Sequence, residues 1–412
     1  VATIILSCFV LFFSAGASAR DIAFGEALDR LSQLYEELPS VEAALEASEM
    51  TVFSKRLGFG PSVDASASRS KESKSGIESD QMSVRASLNL FKGGADLGAL
   101  NSASANLAVR ERELLQTKIE AQSSAANLLI DYLLSSRQVS LLENLDELKA
   151  RSLATTRLRF QRGLLPAQEV DKARVDQLNT RARLQNARSE FERVKAILTG
   201  YLGEDAPKKD WPWKRELGKK KGAVLAASNV NSRPDVQLKE FELARQEGLV
   251  DQARAEFFPR VDLSYSVGKE ETAGIERDER VAMLGVSFPL YSGFSDKAAL
   301  SEQKAARVRA RQDLLAKKRE AESMLKARTK ALEIAIDSAI SREETLTLSR
   351  KLYQHNFKRF EAGRVSVNDL LVDQNRLLDS ESLAEEGWAN AHRAWVNFCS
   401  EQGYSLTQCQ TL

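Results

Sequence analysis

The sequence predicts an α+β chain in which two short β-hairpins alternate with very long helices. Three observations carry this prediction. The composition is that of helices: Ala, Leu, Glu, Gln, Arg and Lys are abundant, while 412 residues hold only 8 Pro and 21 Gly. Two segments alternate apolar and polar residues with a period of two, which is the strand signature. The chain is also one unit written twice at a fixed offset.

The repeat fixes the order of elements. Phe91-Lys92-Gly93 returns as Tyr291-Ser292-Gly293, and Arg159-Phe160-Gln161-Arg162-Gly163 as Arg359-Phe360-Glu361-Ala362-Gly363, both 200 positions on. Ser87, Leu90, Asp96, Leu100 and Ala105 recur as Ser287, Leu290, Asp296, Leu300 and Ala305 at the same offset. Loops drift in length, but long helices packed side by side do not, so a rigid element is expected between the two motifs.

Each half starts with an amphipathic helix, expected over residues 24–57 and 235–257 and stopped by Pro61 or Pro259. A hairpin follows, expected over 61–91 and 259–291. In the first, Val63, Ala65 and Ala67 alternate with Asp64, Ser66 and Ser68; in the second, Val261, Leu263, Tyr265 and Val267 alternate with Asp262, Ser264 and Ser266. The return strands place Met82, Val84, Ala86, Leu88 and Leu90 on one face, and Ala282, Leu284, Val286, Phe288 and Leu290 on the equivalent face. A helix then runs over 97–160 and 297–360, each on the order of 95 Å long at 1.5 Å per residue. The first has no Pro and almost no Gly, and the second has neither. Leu114, Leu128, Leu142, Leu145 and Leu148, and Leu314, Leu325, Leu332, Ile336 and Leu346, recur at three- and four-residue steps suited to coiled-coil packing. Return helices are expected over 166–202 and 366–398. The first repeat is thus residues 20–202 and the second 231–398, with an aperiodic segment over 203–230 and a tail over 399–412. That segment holds Trp211-Pro212-Trp213 and Lys219-Lys220-Lys221.

Residues 1–19 read as a secretory signal peptide: an apolar run over 4–13 leads to Ala17-Ser18-Ala19, an A-x-A cleavage site. After Ala19 no stretch of about 20 apolar residues occurs, so no transmembrane helix is expected. Cys399 and Cys409 then form an even pair with a short loop, which in an oxidising compartment predicts a disulfide.

Strands of about ten residues with an apolar and a polar face fit a membrane barrel with lipid outside and water inside. Two hairpins give four strands, and four strands cannot close a barrel. An open edge in lipid leaves backbone groups unpaired at several kcal/mol each, so at least two copies of the chain are required. The alternative from another class is a soluble periplasmic coiled-coil scaffold or adaptor, which accounts for the helices and not for the hairpins. The net charge of +1 gives no reason to expect a nucleic-acid partner. The two His residues, His355 and His392, sit away from any ligand cluster, so no metal site is expected, and no cofactor. No nucleophile–base spacing or phosphate loop points to an enzyme.

Over residues 21–399 the chain resembles the TolC-type outer-membrane efflux proteins. The motifs that carry the resemblance are Phe258-Pro259-Arg260-Val261-Asp262-Leu263, Val286-Ser287-Phe288-Pro289-Leu290-Tyr291-Ser292-Gly293, Arg233-Pro234-Asp235-Val236, and Arg359-Phe360-Glu361-Ala362-Gly363 followed by Asp369-Leu370-Leu371. The resemblance implies an outer-membrane β-barrel with four strands per chain, shared in a homotrimer. A long periplasmic α-helical barrel continues it, girdled by a small mixed equatorial region, here 203–230 with the C-terminal tail. It implies an exit duct set in outer-membrane lipid, serving a periplasmic adaptor and an inner-membrane pump in efflux or in type I protein secretion.

The same resemblance assigns roles at the helical tips, which gate the duct and dock the adaptor. Gly163 and Gly363 match the tip glycines, and Leu164, Leu165, Arg364 and Val365 flank them as docking candidates. Asp369 stands where the family often has an inward-facing acid, and Glu169 is its first-half equivalent; symmetry would turn each into a carboxylate ring that favours cations. A second family acid is replaced by Val372, with Asp373 one step later as a third candidate gate acid, and Phe360 stands where a Tyr is common. An apolar constriction is therefore an alternative to polar links at the gate.

Overall fold

A computed structural model describes residues 21–71, 78–203, 206–207, 230–272, 275–290 and 293–410. The signal-peptide reading of 1–19 lies outside the described residues, as does most of the segment expected to be equatorial, including Trp211 to Trp213 and Lys219 to Lys221. The elements are β1 (Asp21–Ile22), α1 (Phe24–Gln33), α2 (Leu38–Leu57), β2 (Ser62–Lys71), β3 (Glu78–Lys92), α3 (Ala95–Gln161), α4 (Ala167–Leu202), β4 (Ala206–Pro207), α5 (Pro234–Ala255), β5 (Arg260–Thr272), β6 (Ile275–Ser287), α6 (Ser295–Glu361), α7 (Val367–Glu401) and α8 (Leu406–Gln410).

The first helix and the last strand depart from the sequence expectation for local reasons, and α7 runs on to Glu401, three residues past its expected end. The first helix is two helices, because Pro39 lies in the first turn of α2. Its nitrogen carries no N–H to continue an i→i−4 ladder, and its ring would strike the carbonyl of Tyr35. The last strand stops at Ser287, before Pro289, where the equivalent β3 carries Asn89 and runs on to Lys92. A proline cannot donate to the ladder, so it ends the strand.

The chain divides into two compact units. One comprises residues 36–120, 225–329 and 398–412. Its sheet is antiparallel in the order β2-β3-β5-β6, so the hairpins join through β3 and β5. A bulge at Leu90 breaks the register between Asn89 and Phe91. Beyond the strands, α3 and α5 touch backbone to backbone. A Cβ added to Gly98 would lie 2.7 Å from the Gln252 nitrogen, and one added to Gly248 would lie 2.6 Å from the Ser102 nitrogen. Only glycine permits this crossing.

The other unit comprises residues 1–35, 121–224 and 330–397. Among the described residues it is helical apart from the parallel pair β1–β4. Leu129, Ile130 and Leu133 of α3 are fully buried, as are Ala389, Ala391 and Val396 of α7. Near the helical turns a second cluster forms from Tyr353, Phe360, Val367, Leu370, Leu371 and Leu377.

Candidate functional site: a strand wall and two helical tips

The pairing register sorts the sheet into two faces. Cross-strand partners point to the same side, so rows can be read straight across. One face carries the rows Leu88–Leu263–Leu284, Val63–Ala86–Tyr265–Ala282 and Ala65–Val84–Val267, the last ending on Arg280 of β6. Most of these apolar side chains are exposed, Val63 over 68% of its surface and Leu284 over 63%, while Ala86 and Leu88 are half-buried. Further along the face turns charged, through the mixed row Ala67–Met82–Lys269–Asp278 to Arg69–Asp80–Glu271–Glu276. In the last row Arg69 grips Asp80 through two hydrogen bonds of 2.6 Å. Rows repeat every two residues, about 6.7 Å along a strand, so the apolar rows together with Phe91–Val261–Val286 span about 20 Å of strand, somewhat less than the ~25 Å band of membrane barrels. At the helix–strand junctions Phe59, Phe91, Phe257, Phe258, Phe288 and Phe294 are between 43% and 67% exposed. That is the pattern of an aromatic girdle.

The opposite face is polar on β2, β3 and β5, while β6 adds the exposed Met283 and Val281 to it. Its rows include Ser62–Ser87–Ser264–Met283, Asp64–Arg85–Ser266–Val281 and Ser66–Ser83–Gly268–Glu279. Ser62 and Ser87 hydroxyls meet at 2.7 Å, and those of Ser66 and Ser83 at 2.9 Å. This face suits water. The outer edges of β2 and β6 pair with no other strand among the described residues. A sheet with one exposed apolar face, one wet face and two open edges is an incomplete wall.

In the helical unit both tips use one turn. Gly163 donates to the Phe160 carbonyl at 2.8 Å while Leu164 reaches back to Arg159 at 2.9 Å; Gly363 donates to Phe360 at 2.9 Å and Arg364 to Arg359 at 2.8 Å. This is the Schellman pattern. Its C′ residue needs a left-handed backbone, and Gly163 and Gly363 have φ of 75° and 73°. Of the flanking residues, Leu164 is 67% exposed, and Arg364 is exposed as well, while Leu165 and Val365 pack on the tip cluster.

The three acids expected near the axis each have a partner in their own neighbourhood. Asp369 accepts a 2.7 Å hydrogen bond from the Ser366 hydroxyl, and that hydroxyl oxygen accepts from the Asp369 N–H at 3.1 Å. Ser366 therefore caps α7. Glu169 pairs with Lys172 at 2.9 Å. Asp373 accepts from the Asn356 amide at 2.7 Å. Asp369 and Asp373 lie one turn apart on α7, while Glu169 lies on α4. Cys399 and Cys409, in the other unit, are joined by a disulfide.

Two further features of the tip region escape sequence reasoning. Arg159 donates to the Phe360 carbonyl at 2.6 Å, and its guanidinium lies 4.3 Å from the Phe360 ring centroid, so it ties the first repeat to the second. Lys149 is buried and pairs with Asp176 of α4 and, at 2.6 Å, with Asn375 of α7. Burial pulls its ammonium below the usual lysine range, with the Asp176 carboxylate opposing that shift. A signal for Lys149 existed. The core step through Leu142 and Leu145 lands next on 149, not on Leu148, and a charge at such a position needs a partner.

These sites define a class: a membrane-wall subunit whose strands face lipid on one side and water on the other, with long helices ending in paired tight turns. The comparisons with known proteins name the family within that class. Residues 28–204 and 226–397 match the model of the outer membrane efflux protein family, and the chain belongs to it. It is an outer-membrane exit duct for efflux and not an enzyme. Among curated relatives it is similar to the cobalt-zinc-cadmium resistance protein CzcC of Cupriavidus metallidurans, 24% identical over 317 residues that make up 75% of each chain. Its fold matches a membrane protein from Pseudomonas aeruginosa with a TM-score of 0.79, 17% identity, and coverage of 94% of this chain and 91% of that one. It also matches the outer membrane protein VceC of Vibrio cholerae with a TM-score of 0.78, 15% identity, and coverage of 93% and 96%.

Proposed function

We propose that three copies of this chain share one barrel of twelve strands, four from each, with the helices continuing as a duct in the periplasm. The open edges of β2 and β6 beneath an exposed apolar face carry this reading. In lipid those edges must find strands, and another copy supplies them. The internal repeat supports the same contact lower down. Within the chain α3 crosses α5 at Gly98 and Gly248; the counterpart of Gly98 is Ala298 on α6, and that of Gly248, at the 198-residue spacing that relates Pro61 to Pro259, is the exposed Met50 on α2. Here α2 exposes Met50, Phe53 and Leu57 and α6 exposes Val308 and Leu315, surfaces that a neighbouring copy would cover in the same way.

In this reading the tips at Gly163 and Gly363 gate the duct and meet a periplasmic adaptor that links it to an inner-membrane pump. Leu164, Leu165, Arg364 and Val365 form the docking edge. Glu169, Asp369 and Asp373, repeated by symmetry, bias the entrance toward cations. The name of the relative from Cupriavidus metallidurans favours divalent metal ions as cargo over drugs or secreted protein.

Deleting the gene and measuring survival in cobalt, zinc or cadmium, in drugs and bile salts, together with secreted protein, separates the cargo classes. Sensitivity to the metals alone is expected. A normal phenotype in every arm counts against the export role. The mass of detergent-solubilised protein should equal three chains, and a monodisperse monomer would sink the shared barrel.

A further inference from the structure

In the strand unit, the C-terminal end of the chain doubles back onto the first turn of α5. Cys399 is near the end of α7 and Cys409 is in α8, ten positions on. Between them, Glu401 pairs with Arg233 at 2.6 Å and lies 3.9 Å from Arg328. Arg233 is the residue that precedes α5, and its side chain is only 8% exposed. It holds Asp235 with two hydrogen bonds, of 3.0 and 2.8 Å, and reaches the Ala321 carbonyl at 3.4 Å. Burial works against the charge on this guanidinium, yet Asp235 and Glu401 together raise its pKa above the usual arginine range. Glu401 is therefore half of what makes the buried cation acceptable.

A second contact seats the same turn. Gly403 has φ of 76°, and a Cβ added to it would lie 2.4 Å from Cδ of Pro234. The backbone of the turn thus rests on the pyrrolidine ring that opens α5. Gly403 and Tyr404 close α7 with bonds to Ser400 and Cys399 of 3.0 and 3.1 Å. Beyond them α8 has five residues, too few to hold itself as a helix. Its hold on the unit comes from the disulfide and from Leu406, which is 2% exposed.

We propose that the Cys399–Cys409 disulfide is a clamp closed once during folding, which locks the C-terminal turn onto Arg233 and Pro234 and so fixes where the second repeat begins. Cys399 is 0% and Cys409 1% exposed, so a reductant does not reach the bond in the folded chain. That makes it a lock and not a reversible sensor. The chain is then a substrate for a periplasmic dithiol oxidant. One cysteine thiolate attacks the oxidant's disulfide, and the second thiolate resolves the mixed disulfide. The oxidant leaves as a dithiol, having taken two electrons and two protons from the chain.

The clamp rests on the periplasmic reading only for its oxidant; the test is made on purified full-length channel. Hydrogen exchange is compared between the native protein, the double variant C399S/C409S, Glu401→Gln and Gly403→Val. In the double variant, amides of 398–410 and of 233–238 should both exchange about tenfold faster or more. Glu401→Gln and Gly403→Val should loosen 233–238 with the disulfide intact, which keeps the test alive if the double variant does not fold. Native protein should take up a thiol-alkylating label at these cysteines only after reduction in denaturant. Free thiols in the native channel, rapid reduction without denaturant, or faster exchange confined to 398–410 would each overturn the clamp.

Discussion

The two helical tips are built to one plan and sit in different surroundings. Gly163 and Gly363 make the same turn with nearly the same φ. Yet Phe160 is 44% exposed, while its counterpart Phe360 is 1% exposed beneath the guanidinium of Arg159. The second tip is covered by the first repeat of its own chain. The first tip would need Arg359 of another copy for the same cover. Further along, Lys149 has Ser349 as its counterpart, and the buried ion pair of one half becomes a 2.9 Å hydroxyl contact between Ser349 and Ser380 in the other. A duplicated sequence has thus kept its turns and helix lengths while its contacts have diverged. What diverges is the polar chemistry between helices, which decides how firmly each half is held.

The largest effect is expected at Lys149. Its replacement by alanine leaves Asp176 without its buried cation, and loss of one partner of such a pair costs about 3 kcal/mol or more. The double variant K149M/D176L should recover most of that loss, because no charge is left to satisfy. Chemical denaturation of the helical unit's signal reads both. Ser349→Ala, at the equivalent place, should cost only about 1 kcal/mol. Equal costs at 149 and 349 would show the two halves to be held alike. The pH dependence has a defined sign. Burial holds the folded pKa of Lys149 below its ordinary 10.5, so between the two values the unfolded chain binds more protons. Stability from this group therefore rises as pH rises toward 10.5, and the rise should vanish in the double variant.

Next comes the aromatic pair. Phe360→Ala empties a packed cluster and should cost about 3–5 kcal/mol, whereas Phe160→Ala should cost under about 1 kcal/mol in an isolated chain. Cysteine placed at 160 should label readily in dispersed chains and slowly in the assembled channel. Ready labelling in both states would mean that no neighbour covers the first tip.

These contrasts also mark what sequence could disclose. The hairpins and long helices were legible because period two, period 3.6, the prolines and the fixed offset all agree on them. The break before Leu38 was missed because the helical pattern passes over Pro39, and the early end of β6 because apolar alternation runs through Pro289. The tip turns were legible from their glycines. Arg159 on Phe360 was not, since it depends on which helices become neighbours, and no local pattern states that. Lys149 was half legible, as a charge on the core stripe whose partners are 27 and 226 positions away.

The smallest effect separates two duties that a single carboxylate can hold at a tip. Asp369 takes the Ser366 hydroxyl and stands in the first turn of α7, where negative charge is favoured by the helix dipole. Glu169 stands at the equivalent place in α4, but Pro166 precedes that helix, so no hydroxyl meets it and Lys172 does instead. Asp369→Asn leaves the Asp369 N–H bonded to Ser366 and removes only the charge, so the stability cost should be about 0.5 kcal/mol. If Asp369 also faces the pore, cation-over-anion permeability of reconstituted channels should fall with Asp369→Asn, and fall less with Glu169→Gln, whose charge Lys172 already offsets. A change in stability with no change in permeability would make Asp369 a helix cap and nothing more. Equal permeability losses at 169 and 369 would mean that the lysine does not screen its neighbour, and that the two tips, unlike in their caps, are alike toward ions.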